Sequence, residues 1–359
     1  MFKNPLITPC LYLLTTLLLC VIAAADWSQW RGVNRDGVWK ETGLIERFDS
    51  AEIKIRWRVP ISNGYSGPTV ANGRVYVMDR VVEPKEQERV HCFDWKTGKT
   101  IWTHAYDCVY KGVGYPNGPR ASVTIDDGRA YSLGAMGHLF CFDAATGKVL
   151  WHKDLYTEYK IRLPDWGIAA SPLVDGDLVI VHVGGSDGAC LIAFNKKTGK
   201  EQWKALDDRA SYSSPIVITQ AGKRVLVCWT ADRVVGLHPQ TGQLFWEHPF
   251  PASRWPIAIA TPVVEGDRLF LSSAIDGGLM LRLLPDTLGV ERLWLRRGPN
   301  DRNTDALQSL ISTPLMRGGY VYGIDLNGEL RCLDAKTGDR VWEDTTVVPR
   351  ARWATAHIV

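Results

Sequence analysis

The chain of 359 residues lacks the short motifs that carry a ready mechanism. Its eight histidines, at 91, 104, 138, 152, 182, 238, 248 and 357, show no H-x-x-x-H or H-E-x-x-H spacing, so a zinc site has no support. No G-x-S-x-G elbow and no phosphate-cradling glycine loop is present. "DGDL" at 175–178 and "EGDR" at 265–268 are too short for a calcium loop. The net charge is only +3, with Lys/Arg and Asp/Glu interspersed, which argues against a nucleic-acid-binding face. Beyond residue 25 there is no long apolar run, so no membrane span is expected in the mature chain.

The first 25 residues stand apart. Lys3 precedes an almost uncharged apolar run from Leu6 to Ile22, and Ala23-Ala24-Ala25 follows before Asp26. This is the pattern of a secretory signal, and it predicts an exported, periplasmic or extracellular protein. The alternative, a membrane anchor, is disfavoured because the run is shorter than the ~20 residues a spanning helix needs. A lipid-modified Cys20 is disfavoured by Leu19 before it. Residues 26–54 are read as an N-terminal extension packing on the main domain at 55–359.

What the chain has in abundance is repetition. FDWKTGKTIW ends at Trp102, FDAATGKVLW at Trp151, FNKKTGKEQW at Trp203, LHPQTGQLFW at Trp246, LLPDTLGVERLW at Trp294 and LDAKTGDRVW at Trp342. The intervals are 49, 52, 43, 48 and 48 residues, and Trp57 sits 45 before the first. Between successive Trp residues lie two short alternating runs joined by a Gly-containing turn, as in SGPTV-ANG-RVYVM from Ser66 and TPVV-EGD-RLFLSS from Thr261. These are hairpins. Four strands per ~48 residues predict an all-β protein, a β-propeller of four-stranded blades. Each blade exposes apolar faces that only its neighbours cover, so each repeats the same tight turn and inward side chains. Trp102, Trp151, Trp203, Trp246, Trp294 and Trp342 are expected to be equivalent and buried between blades, with Trp57 the structural Trp that ends a seventh unit.

The T-G-K-x-x-W repeat after an apolar strand, with S-P-x-V opening the next unit, resembles the pyrroloquinoline quinone (PQQ) type propeller repeat. That family includes quinoprotein alcohol dehydrogenases and the periplasmic subunit of the outer-membrane assembly machine. "WSQWRGVNRDGV" at 27–38, "NGPRAS" at 117–122 and "RARWATAH" at 350–357 resemble exported PQQ-like repeat proteins of planctomycete-type bacteria. The resemblance implies that PQQ with calcium is the cofactor to consider, although no cofactor follows from the residues themselves. "RWATAHIV" at 352–359 aligns with the starts of earlier units, such as "SLISTPLM" at 309–316, and is expected to be the first strand of a further blade. The expectation is seven blades with the closing blade incomplete, or eight in a longer chain. The adjacent Cys pair common beside the quinone in the dehydrogenases is missing. With Cys108, Cys190 and Cys228 the count past the leader is even, which in an exported protein hints at disulfides, but Cys92, Cys141 and Cys332 recur at one repeat position in different blades and read as small buried hydrophobes.

In such a ring the loops leading into each innermost strand converge on the axis. They carry Tyr115 and Arg120, Asp165 and Trp166, Arg209 and Tyr212, Arg254 and Trp255, Arg302 and Asp305, and Arg350, Arg352 and Trp353. Tyr115, Arg120, Trp166, Tyr212, Arg254, Trp255, Arg350 and Trp353 are the ligand-binding candidates, through guanidinium forks and stacking faces. The competing reading is that these side chains fill the channel and pair with Asp165, Asp207, Asp208, Asp301 and Asp305. No catalytic residues and no metal ligands are visible. The leading expectation is a non-catalytic scaffold for a ligand or protein partner at the rim. The alternatives are a PQQ-dependent oxidoreductase with Asp165 or Asp305 as base, and polysaccharide binding.

Overall fold

The computed structural model describes residues 26–47, 53–253 and 255–359. The expected signal segment and Arg254 lie outside the described residues. Within them, 24 strands form six four-stranded antiparallel sheets, each built from consecutive strands paired in order. Sheets I to VI span residues 69–107, 124–154, 173–205, 216–249, 263–296 and 315–344. The short first strands are innermost; those of sheets I and II, II and III, and V and VI lie against one another. The fourth strands form the rim of the molecule. This is the propeller expected from the repeat.

The repeated turn is built by its first residue. Asp94 Oδ1 accepts from the Lys96 and Thr97 amides and from Thr97 Oγ1. Asp143 and Asn195 make the same three bonds in sheets II and III. Glycine follows at φ of about +70°, a conformation with little steric cost for Gly alone. The missing side chain has a second use: a Cβ at Gly98, Gly147, Gly199 or Gly242 would stand 2.8, 2.6, 2.8 or 2.7 Å from the Trp of the preceding unit. Each Trp therefore lies flat on the next turn. Its indole N–H donates to a carbonyl there: Trp57 to Trp95, Trp102 to Ala144, Trp151 to Lys196, Trp203 to Pro239 and Trp294 to Ala335, at 2.9–3.1 Å.

On its own sheet each Trp stands opposite a third-strand residue: Cys92, Cys141, Ala193, Gly236, Met280 or Cys332. In all six sheets the ladder slips by one residue beside this pair, a bulge that re-aims the indole towards the neighbour. The recurrent cysteines are thus mostly small residues beneath an indole. All six cysteines of the described residues are free and buried.

Two Trp residues depart from the expectation. Trp246 meets the irregular P-D-T-L-G turn of sheet V, and its N–H donates to Gln220 Oε1 at 2.8 Å. The Gln220 amide then donates to Gly289 O at 2.6 Å, relaying the contact. Trp342 is 43% exposed, which corrects the expectation of uniform burial: no turn follows it among the described residues. Residues 53–60 and 353–359 lie in no strand.

A belt of hydroxyl bonds joins the innermost strands. Ser66 Oγ donates to Ala121 O, the Ser122 amide to Ser171 Oγ, the Ser171 amide to Ser214 Oγ, Ser213 Oγ to Ala260 O, and the Thr261 amide to Thr313 Oγ1. The same pattern continues from the Ala356 amide to Ser312 Oγ at 3.0 Å. This explains the hydroxyl before Pro in the repeat.

The segment 26–37 fills the channel from the end that bears the tight turns. Trp27 pairs with Val70, the Ile125 amide donates to Ser28 O, and Trp30 Nε1 donates to Thr261 Oγ1. Arg35 is buried on the axis, and its guanidinium donates to the carbonyls of Ser171, Pro172 and Pro215 and to Gln29 Oε1. One short segment thereby touches the first strand, or the residues leading into it, of all six sheets, since Arg31 also reaches Pro314 O.

Truncating a docked Trp should remove an inter-sheet contact. Trp102→Ala is expected to lower unfolding free energy by about 3–5 kcal/mol in denaturant titrations, and the exposed Trp342→Ala by about 1 kcal/mol. Equal losses would contradict the docking scheme.

Candidate functional site

Antiparallel connectivity puts the tight turns at one end of the channel and the long loops at the other. At the loop end the axis is closed by Ile257, Ala274 and Leu326, with Trp166, Ile259, Ile275 and Leu310 packed against them. With Arg31 and Arg35 below, both ends of the axis are occupied by side chains.

Around this apolar cap the structure brings three candidates together. The Trp166 and Tyr212 rings lie 5.3 Å apart, and the Trp166 amide donates to Tyr212 Oη. Burial pushes the Tyr212 phenol up to about 12, so it stays protonated. Arg120 sits nearby; burial lowers its pKa, partly offset by Tyr110, Tyr65, Glu88 and Tyr212. Its guanidinium donates to the carbonyls of Gly118, Gly114 and Tyr115 at 2.7–3.0 Å and lies 5.2 Å over the Tyr65 ring. Arg120 is therefore a clamp on its own loop. It holds Tyr115, at φ +49° and 71% exposed, out into solvent.

The remaining candidates flank the cap from the other side. The Ala354 amide donates to Leu326 O and the Ala351 amide to Asn327 O, which lays 350–354 over sheet VI. Arg350 faces Glu329 at 3.6 Å, and Arg352 lies 4.6 Å over Trp353 while pairing with Asp301. Trp255 and Trp353 are 40% and 38% exposed. Asp305 pairs with Arg296, and Arg209 with Asp232. Of the rim arginines, Arg352 pairs with Asp301, whereas Arg209 and Arg350 meet Asp232 and Glu329, and Tyr65, Tyr115 and Trp353 stay solvent-exposed. Tyr65 and Asn117, whose Nδ2 donates to Tyr65 Oη at 2.9 Å, belong to this layer. Neither was singled out by the sequence, because the hydrogen bond joins the loops entering two different sheets.

The loop carrying Tyr212 is fixed from below. Asp208 accepts from Arg233 Nε and Nη2 at 2.9 and 2.8 Å and from Thr230 Oγ1. Buried His182 accepts from the Ser211 amide at Nε2 and donates from Nδ1 to Ser213 O, both at 3.4 Å.

With this geometry in place, the class is a PQQ-type β-propeller with a closed axis and an aromatic loop face. Residues 86–344 match the family described as "Outer membrane protein assembly factor BamB", and the chain belongs to that family. It is 25% identical over 250 residues to the outer membrane protein assembly factor BamB of Burkholderia pseudomallei, covering 68% of this chain and 58% of that protein. It is 33% identical over 148 residues to the quinoprotein alcohol dehydrogenase PedH of Pseudomonas putida, covering 37% of this chain and 23% of that one. The chain thus spans about a quarter to just over half of these relatives. Among solved structures, BamB from Moraxella catarrhalis superposes with a TM-score of 0.55 at 16% identity, over 79% of this chain and 77% of that one, a likeness of fold.

The dehydrogenase relatives raise the question of PQQ and calcium. The residues present do not fit that pair. The axis is packed with apolar side chains at the loop end. Among the described residues no three His, Cys, Asp or Glu side chains converge into a metal-binding group, and Asp165 and Asp305 stand in separate loops.

His182 generates a pH prediction. Burial depresses its pKa from about 6.5 to about 4, partly opposed by the bond to Ser213 O and by Asp208. Its contribution is present above pH 6.5 and is lost as pH falls towards 4, because the unfolded chain takes up the proton first. Urea unfolding should lose about 3 kcal/mol across that window through this group, and His182→Gln should remove that part of the slope. An unchanged slope in the variant would contradict the assignment.

Proposed function

We propose that this chain is an exported, non-catalytic scaffold that takes a protein partner on its loop face. The observation that carries this reading is the set of solvent-exposed aromatic side chains, Tyr65, Tyr115 and Trp353, two of them backed by arginines, around an axis already filled by Ile257, Ala274 and Leu326. A filled axis offers no depth for a small molecule, whereas a broad aromatic surface with a polar border is what protein interfaces use. Arg209, Arg352 and Arg350 are engaged with Asp232, Asp301 and Glu329, and Arg120 with loop carbonyls, so these four are not free forks for an anionic ligand. Similarity to a protein named as an assembly factor supports the same reading. Export is supported by the sequence of residues 1–25, and among the described residues no helix is long and apolar enough to cross a membrane.

A second reading, a PQQ-dependent dehydrogenase, draws on the identity to PedH over 148 residues. Polysaccharide binding rests on the same aromatics and has no observation of its own. The test places a photo-crosslinking amino acid at Tyr65, Tyr115 or Trp353, and at Thr97 on the turn end as control, in cells of the source organism. Discrete protein adducts from the loop-face positions alone are expected, with none from position 97. Adducts from neither face, together with PQQ- and calcium-dependent alcohol oxidation by the purified protein, would overturn the scaffold in favour of the enzyme.

A further inference from the structure

Sheet II carries a pair of histidines that the propeller architecture does not require. His138 on its third strand (His138–Asp143) and His152 on its fourth (Val149–Asp154) project from one face, because His138 stands opposite Asp154 and His152 opposite Phe140. His138 Nδ1 and His152 Nε2 are 3.4 Å apart, and the rings are nearly parallel with centroids 5.6 Å apart. His152 is exposed and rests on Phe140, centroids 4.1 Å apart. Beside the pair opens a cleft of about 220 Å³ lined by Val109, Lys111, Met136, His138, Asp154 and Tyr156.

We propose that His138 and His152 bind a divalent transition-metal ion of the zinc and copper type from this cleft. Two imidazole nitrogens on a tetrahedral ion at about 2.0–2.1 Å must stand about 3.3 Å apart, close to the separation already present. The metal replaces the hydrogen now shared between the rings, and a small rotation of the exposed His152 ring brings both lone pairs to one point. Paired antiparallel strands fix the two Cα positions, so little ordering is required on binding. Imidazole donors select this end of the first row over magnesium or calcium.

Burial and His138 lower the His152 pKa, with Asp154 and Glu158 acting against them. Asp154 lines the cleft while holding Thr157 through both oxygens, Glu158 pairs with Lys153, and Lys111 lines the cleft across from them. Tyr106 of sheet I, 5.3 Å from His138 between ring centroids, bonds to Glu88 on its far side. Among the described residues no third His, Cys, Asp or Glu completes a set with the two histidines, so water from the cleft fills the remaining positions. The site is therefore exchangeable and accessible, unlike a closed structural zinc.

The test titrates the metal-free protein with Zn²⁺ by calorimetry and with Cu²⁺ by electron paramagnetic resonance. One saturable ion per chain is expected, with hyperfine splitting from two nitrogens. His138→Gln and His152→Gln should each weaken binding at least tenfold while circular dichroism is unchanged. Magnesium and calcium should give no heat. Absence of saturable binding, or binding and nitrogen splitting that survive in the His138→Gln/His152→Gln double variant, would overturn the proposal. Should either single variant fail to fold, carbethoxylation of the exposed His152 in the native protein, with and without Zn²⁺, gives an independent readout: protection supports the site and equal reactivity refutes it.

Discussion

The structure depends on the seat of one indole on the next unit's glycine. Each docked Trp needs three things at once: a turn whose Gly has no Cβ to meet the ring, a carbonyl placed to accept the N–H, and a small residue or Met opposite on its own sheet. The repeat is written many times because a propeller has no core apart from its inter-sheet seams. Burial of each indole supplies most of the seam's stabilisation, and the hydrogen bond, worth about 1 kcal/mol, fixes its direction. Gln220 shows the strength of the requirement. Where the sheet V turn is irregular, a side chain supplies the acceptor and passes the bond onward.

From that seam follows the shape of the axis, and from the axis the functional reading. Short innermost strands joined by Ser and Thr hydroxyls leave a channel that segment 26–37 fills at one end and the Ile257 cluster at the other. Arg35 is held on the axis by main-chain oxygens, and burial lowers its pKa to about 9. The two proposed binding places accordingly lie at the surface: the aromatic loop face, and the cleft beside His138. The clamp formed by Arg120 illustrates how the loop face is kept rigid, since its donors are spent on organising the Tyr115 loop.

The six sheets were legible because Trp spacing and hairpin turns report local structure, and the recurrent cysteines lie at the position the repeat assigns them. The candidate site was legible in part. Trp166, Tyr212 and Arg120 do meet, since loops before innermost strands must converge. What the guanidiniums do once there was not legible, because pairing of Arg352 with Asp301 or Arg209 with Asp232 depends on contacts between separate loops. Segment 26–37 has no periodicity, so nothing in it pointed to the channel. The bulge beside each Trp was also hidden, since it arises from register between strands. His138 and His152 escaped a search for helix-spaced ligands because the spacing that joins them runs across a strand pair.

The measurement that bears most directly on this account is hydrogen exchange of the indole N–H groups, followed by NMR on protein labelled at tryptophan. If each seam is closed by an indole on the next turn, Trp102, Trp151, Trp203 and Trp294 exchange slowly and together, at rates set by opening of the ring, while Trp342 exchanges as an open group. Fast exchange at the four docked positions, or protection of Trp342 equal to theirs, would contradict it.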